Sequence, residues 1–290
     1  MDEFSPLDDV TVISLAINLP GPLAAARLAE LGARVIKIEP PTGDPLAHAV
    51  PDYYRELTGG QEIITLDLKD GQARARLEVL AADADILLTA MRPKAAAGLG
   101  IPELVADHGL VHVEILGFAG DRAEVPGHDL TYQAAHGTLI PGTNPTVPIA
   151  DILGGERAVT AALAGLRERE SLAETESADP LGIRKRVVLD DSAAWAAGPA
   201  RHGLSSPGGH LGGRSPFYRT YATADGHLAV ACLEPHFAKA LATRLGADEA
   251  TLEAEFAREP TERWMRFAAE NDLPFEAVVA AGTQPTGERA

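Results

Sequence analysis

His128, Asp151 and Glu234 carry side chains of types that can give and take protons. Removing a weakly acidic proton and returning one needs a base and an acid. An imidazole, titrating near about 6.5, can share that task with a carboxylate. Each residue also has an ordinary reading. Asp151 ends a short apolar stretch before Gly154-Gly155 and a helix, a place where aspartate is favoured as an N-cap. Glu234 precedes Pro235, where a carboxylate favours the start of a helix. A lone histidine is more often a hydrogen-bonded structural group, and this chain has nine histidines. On residue types and spacing alone both readings stay open.

An acid and a base act together only if a scaffold brings them to one cavity. The first part of the chain alternates β-branched apolar runs with Ala/Leu/Glu/Arg segments of helical period, the pattern of an α/β fold with a parallel sheet and crossover helices. Strands are expected over 10–17, 34–38, 63–68, 86–89 and 110–116, and helices over 23–31, 72–82 and 152–168, so the sheet has at least five strands. Leu19-Pro20-Gly21-Pro22-Leu23 is a strand-to-helix turn whose helix start offers N–H groups to an anion. It contains no G-x-G-x-x-G, so a dinucleotide is not favoured, and a plain tight turn is the simpler reading. The charged run from Arg167 to Pro180 reads as a surface loop before a short strand over 186–189. A large domain over 1–197, a Gly/Pro/Ser-rich connection over 198–215 and a smaller domain over 216–290 follow. In the last, strands over 217–223 and 227–231 flank the turn Ala224-Asp225-Gly226, with helices over 236–245, 249–256 and 261–269.

A formal charge of −17, from 42 acidic against 25 basic residues, disfavours nucleic acid and anionic membranes as partners. One cysteine, Cys232, excludes an internal disulfide, and no Cys/His spacing suggests a structural metal. No basic-then-apolar leader and no run of about 18 apolar residues occurs, so a cytoplasmic protein is expected.

The run from Leu19 to Asp44, with Ala-Arg-Leu-Ala-Glu-Leu-Gly-Ala-Arg-Val-Ile-Lys-Ile-Glu-Pro-Pro-Thr-Gly-Asp at its end, is very similar to the N-terminal signature of the family III CoA-transferases and 2-methylacyl-CoA racemases. Thr65-Leu-Asp-Leu-Lys69, Ala84 to Pro93, Gly117-Phe118, Pro126-Gly-His-Asp129, Ile149 to Gly155 and Phe217 to Phe237 follow in the order that family has them. The resemblance implies a Rossmann-like large domain plus a small α/β domain, in two chains interlocked as a homodimer. It makes Asp151 the catalytic aspartate of either branch, and His128, in Gly-His-Asp, the racemase branch's second base. Glu234 becomes the partner of that histidine. Lys37 and Arg92 match positions that touch the nucleotide end of coenzyme A, against a plain reading as surface charge. Gly21 and Pro22, in the strand-to-helix turn Leu19 to Leu23, are counted with them as coenzyme A-binding residues. The substrate implied is a small-molecule acyl thioester, with coenzyme A as part of it and no permanently bound cofactor. The developing enolate would take N–H groups from Gly154, Gly155 or the start of the helix.

Some residues depart from the family. Leu57-Thr-Gly-Gly-Gln-Glu62 stands where a basic cluster is usual, Lys94 stands where glycine is usual, and the stretch between His128 and Asp151 is short. The final segment that in relatives returns to the large domain is not among these residues. Three rivals to α-proton transfer follow. They are CoA transfer through an Asp151 acyl intermediate, a repurposed biosynthetic isomerase, cyclase or epimerase on a carrier-bound or non-CoA substrate, and a non-catalytic binding partner.

Overall fold

A computed structural model describes residues 5–173, 182–280 and 282. The chain divides into two compact units, Met1–Ala196 and Ala197–Ala290.

The first unit runs β1 (Thr11–Ser14), α1 (Pro20–Glu30), β2 (Arg34–Glu39), α2 (Pro45–Ala49), α3 (Pro51–Leu57), β3 (Glu62–Thr65), α4 (Gly71–Ala81) and β4 (Ile86–Thr89). Then come α5 (Pro93–Gly98), α6 (Ile101–His108), β5 (Val111–Leu116), α7 (Asp129–His136), α8 (Ile149–Ala173), β6 (Ile183–Val188) and α9 (Leu189–Ala196). The strands form one six-stranded parallel sheet in the order β3-β2-β1-β4-β5-β6. Strand order reverses between β1 and β4, and such a reversal opens a crevice outside the carboxyl ends of the strands. Apolar side chains line both faces because crossover helices cover them. Val12, Val35, Ile86, Leu88, Val111 and Val113 pack on the α1 and α8 side, and Ile13, Ile36, Leu87 and Leu110 pack with Leu77, Ile101 and Leu104 on the other.

Differences from the sequence expectation have local causes. The charged run from Arg167 is the last part of α8 as far as Ala173, not a loop; the rest of that stretch lies outside the described residues. Its charges are a solvated helix face: Arg167 pairs with Glu170 at 3.1 Å, Arg169 reaches Asp85 at 2.6 Å, and Glu168 pairs with Lys185. Strand β6 begins at Ile183 rather than 186, and Leu189 already starts α9. Arg184 and Arg186 hid its alternation; both bond the buried Glu114 on β5, at 2.5 and 3.0 Å.

The second unit holds α10 (Gly198–Arg201), β7 (Tyr218–Ala222), β8 (His227–Ala231), α11 (Pro235–Arg244), α12 (Glu249–Phe256), α13 (Thr261–Asn271) and β9 (Phe275–Ala277), with an antiparallel sheet ordered β7-β8-β9. Tyr221, Leu228, Val230, Leu252, Phe256 and Trp264 form its core. Residues 198–215 carry α10 and a tight turn at His210–Arg214, joined by backbone bonds from Leu204 to Pro199 (2.8 Å) and from Leu211 to Leu204 (2.7 Å). No helix among the described residues is long and apolar enough to cross a membrane.

Candidate active site

A cleft of about 450 Å³ opens at the carboxyl ends of β1, β4 and β5, where the reversal of strand order puts it. His128, Asp151, Arg92, Tyr132 and Asn18 supply its polar lining, and Ile17, Met91, Ile115 and Leu116 its apolar wall.

His128 is the exposed N-cap of α7, in extended backbone (φ −140°, ψ 165°). Its carbonyl accepts from Thr131 Oγ1 at 2.7 Å, and its N–H donates to the same hydroxyl at 3.1 Å, so the turn is held through the backbone. The residue also lines the cleft, so it stands both at the start of the helix and at the edge of the cavity.

Asp151 lies inside the first turn of α8, which starts at Ile149, three residues earlier than its periodicity suggested. The capping role belongs to Asp129 instead. Its Oδ1 accepts from Ala150 N at 2.7 Å and Asp151 N at 3.2 Å, and its Oδ2 accepts from Gln133 Nε2 at 2.5 Å. Asp151 is thus free to face the cleft. Burial, and then the charge of Asp129, push its carboxyl up to about 7. Tyr132, three residues along α7 from Asp129, is 1% exposed, and its phenol is pushed up to about 12 by burial and by Asp151, Asp190 and Asp129. Any side chain at Gly117 or Gly127 would overlap its hydroxyl. Asp129, Tyr132 and Asn18 escaped notice in the sequence as site residues. Asp129 was visible only as the last letter of Gly-His-Asp, and Tyr132 as an aromatic one helical turn beyond.

Arg92 lines the cleft, exposed, at the N-cap of α5 and without an ion pair among the described residues. Lys37 does not lie at the surface: it is wholly buried, and its ammonium donates to Asp44 Oδ2 at 2.8 Å and the Ala16 carbonyl at 3.0 Å. Asp44 in turn accepts from Asn18 N at 3.1 Å, and Asn18 sits in the left-handed region (φ 70°). Lys37 thus supports the cleft floor from beneath. Gly21 and Pro22 are buried and outside the lining; a Cβ on Gly21 would overlap that of Ala16, so glycine here lets α1 approach β1. Gly154 and Gly155 are also packing residues: within α8, a Cβ on Gly155 would come within 2.9 Å of Leu23 Cβ, and one on Gly154 would overlap Leu189. Their N–H groups lie within α8 and serve that helix. Glu234 belongs to the second unit, exposed at the N-cap of α11 with no capping bond from its side chain.

A second cleft of about 220 Å³ shares Ile17, Ala90 and Met91 with the first and continues along Leu15, Ile38, Leu66 and Leu99, with Lys69 and Asp67 at its margin.

A family model described as CoA-transferase family III matches residues 7–284. The chain is 32% identical to the alpha-methylacyl-CoA racemase of Mus musculus, over 86% of this chain and 67% of the relative. It is also 32% identical to the cinnamoyl-CoA:phenyllactate CoA-transferase of Clostridium sporogenes, over 83% of this chain and 65% of that one. It thus spans about two thirds of the length of the curated relatives it matches. A crystal structure of a CAIB/BAIF family protein from Brucella suis shares the fold, with a TM-score of 0.78 and 23% identity over 96% of this chain and 85% of that one.

Proposed function

Because the chain belongs to CoA-transferase family III, we propose that it moves a proton at the α-carbon of an acyl thioester, as a racemase or epimerase of 2-methylacyl-CoA type. The observation that carries this reading is a single cleft lined by both His128 and Asp151, with the Asp151 carboxyl raised to about 7. A carboxyl so raised exists in both protonation states near neutral pH, as a group that both gives and takes protons requires.

One nitrogen of the His128 ring takes the α-proton, and the C–H electrons pass into the enolate. The Asp151 carboxyl returns its own proton to the opposite face of that carbon and becomes the carboxylate. The reverse direction exchanges the roles. The N–H groups at the start of α7, whose N-cap is His128, suit the enolate oxygen. The second cleft, which shares Ile17, Ala90 and Met91 with the first, suits the apolar part of a long carrier such as coenzyme A, with Lys69 and Arg92 available to phosphate.

The test is to incubate each enantiomer of a 2-methylacyl-CoA with the protein in deuterated water. Deuterium at the α-carbon from both supports the reading, and its absence from both overturns it.

The CoA-transferases among the relatives favour a second reading, with Asp151 as nucleophile toward the acyl group. In that case hydroxylamine would trap Asp151 and a second carboxylate would take up CoA, without α-exchange.

A further inference from the structure

We infer that Asp129 is the positioning residue of this site: by capping α8 in place of Asp151, it keeps the Asp151 carboxyl free and aimed into the cleft, with a second carboxylate beside it. This rests on the reading of Asp151 as the acid–base group.

The geometry is specific. Asp129 is 7% exposed, so its three hydrogen bonds form away from water. One oxygen takes the N–H groups of Ala150 and Asp151, two of the donors that a helix start leaves without partners. The other takes Gln133 Nε2, which also donates to the Val147 carbonyl at 3.0 Å, just before α8. Asp129 and Gln133, one turn apart on α7, therefore fix where α8 begins from 21 and 14 residues away in sequence. An aspartate near a helix start ordinarily turns its carboxylate back onto the N–H groups. With those taken, the Asp151 carboxyl has no hydrogen bond among the described residues and lines the cleft.

The same carboxylate adds like charge to a buried acid, which disfavours ionisation. The other charged and titratable groups around Asp151 are Tyr132 on α7, Asp190 at the start of α9, which bonds His136 Nε2 at 3.0 Å, and His128 and Arg92 across the cleft. Among the charged groups it is Asp129 whose carboxylate raises the Asp151 carboxyl, second to burial.

Two variants separate the parts of this role. Asp129→Asn keeps an oxygen for the cap and removes the charge, whereas Asp129→Glu keeps the charge and displaces the cap. The titration of Asp151 is followed by carboxyl ¹³C NMR in the intact protein, which needs no substrate, and the pH profile of α-deuterium exchange is recorded beside it. Asp129→Asn should lower the Asp151 midpoint by about one pH unit and move the exchange profile with it. Asp129→Glu should leave the midpoint high but reduce exchange at least about tenfold, as misplacement of a reacting group does. An unchanged Asp151 midpoint in Asp129→Asn, or full exchange activity in Asp129→Glu, overturns the inference. Should Asp129→Asn fail to fold, the activity of Asp129→Glu decides alone. A wild-type protein with no exchange, but with an Asp151 midpoint that falls in Asp129→Asn, would sink the proposed reaction and leave this assignment of Asp129 standing.

Discussion

Asp151 has a consequence for stability as well as for chemistry. Its carboxyl is held at about 7 in the fold against an ordinary value of 3.8, so the folded state binds this proton more tightly than the unfolded chain does. The sign follows from linkage: this contribution to stability is complete below pH 3.8 and is lost as pH rises toward 7. Asp151→Asn, neutral throughout, should therefore be more stable than wild type at high pH. The advantage should grow by about 2–3 kcal/mol between pH 5 and pH 8, read from urea unfolding at the two pH values. An advantage that shrinks over that interval would mean that Asp151 is not held protonated. At this scale the sequence conveyed which residues have suitable chemistry, because His128 and Asp151 stand in a motif. It did not convey their burial or neighbours. Asp151 read equally as an N-cap because the residue that does cap α8, Asp129, is 21 residues away along the chain.

Among the elements, β2 and the loop after it carry the least expected feature. Lys37 is an inward-facing residue of a buried parallel strand, and its charge is tolerated only because Asp44 and Glu39 meet it, at 2.8 and 3.6 Å. Lys37→Met would leave Asp44 buried without its cation and should cost about 3–5 kcal/mol, measured by chemical denaturation. A loss near zero would mean that Asp44 does not need the pair. Asn18, whose N–H that carboxylate accepts, should lose its backbone restraint in the same variant. The β-α-β start was legible because the buried run, the Pro-Gly-Pro turn and the glycine at Gly32 (φ 104°) agree with one another. Strand β6 and the end of α8 were obscured by charge: Arg184 and Arg186 are paired across the sheet with Glu114, and the run after Leu166 is a solvated helix face. Those pairings are tertiary, so no local pattern announces them.

At the scale of the whole molecule, a charge of −17 works against an anionic substrate, while the cleft offers only local cations such as Arg92. Salt screens the long-range repulsion more than the short contacts. For a CoA thioester, kcat/KM should rise about two- to threefold between about 10 mM and 150 mM salt, in steady-state assays. A steep fall would instead reveal a basic binding surface that these residues do not show. The α/β class and the family were legible because the motifs span nearly the entire chain, whereas the choice of reaction was not: racemases and CoA-transferases match at similar identity. That choice depends on whether His128 and Asp151 work on one carbon. α-Deuterium exchange from both enantiomers of a 2-methylacyl-CoA, compared across wild type, His128→Ala and Asp151→Asn, addresses this most directly. The wild type should label both enantiomers, and each variant should lose at least one. Unchanged labelling of both enantiomers by either variant would contradict the account.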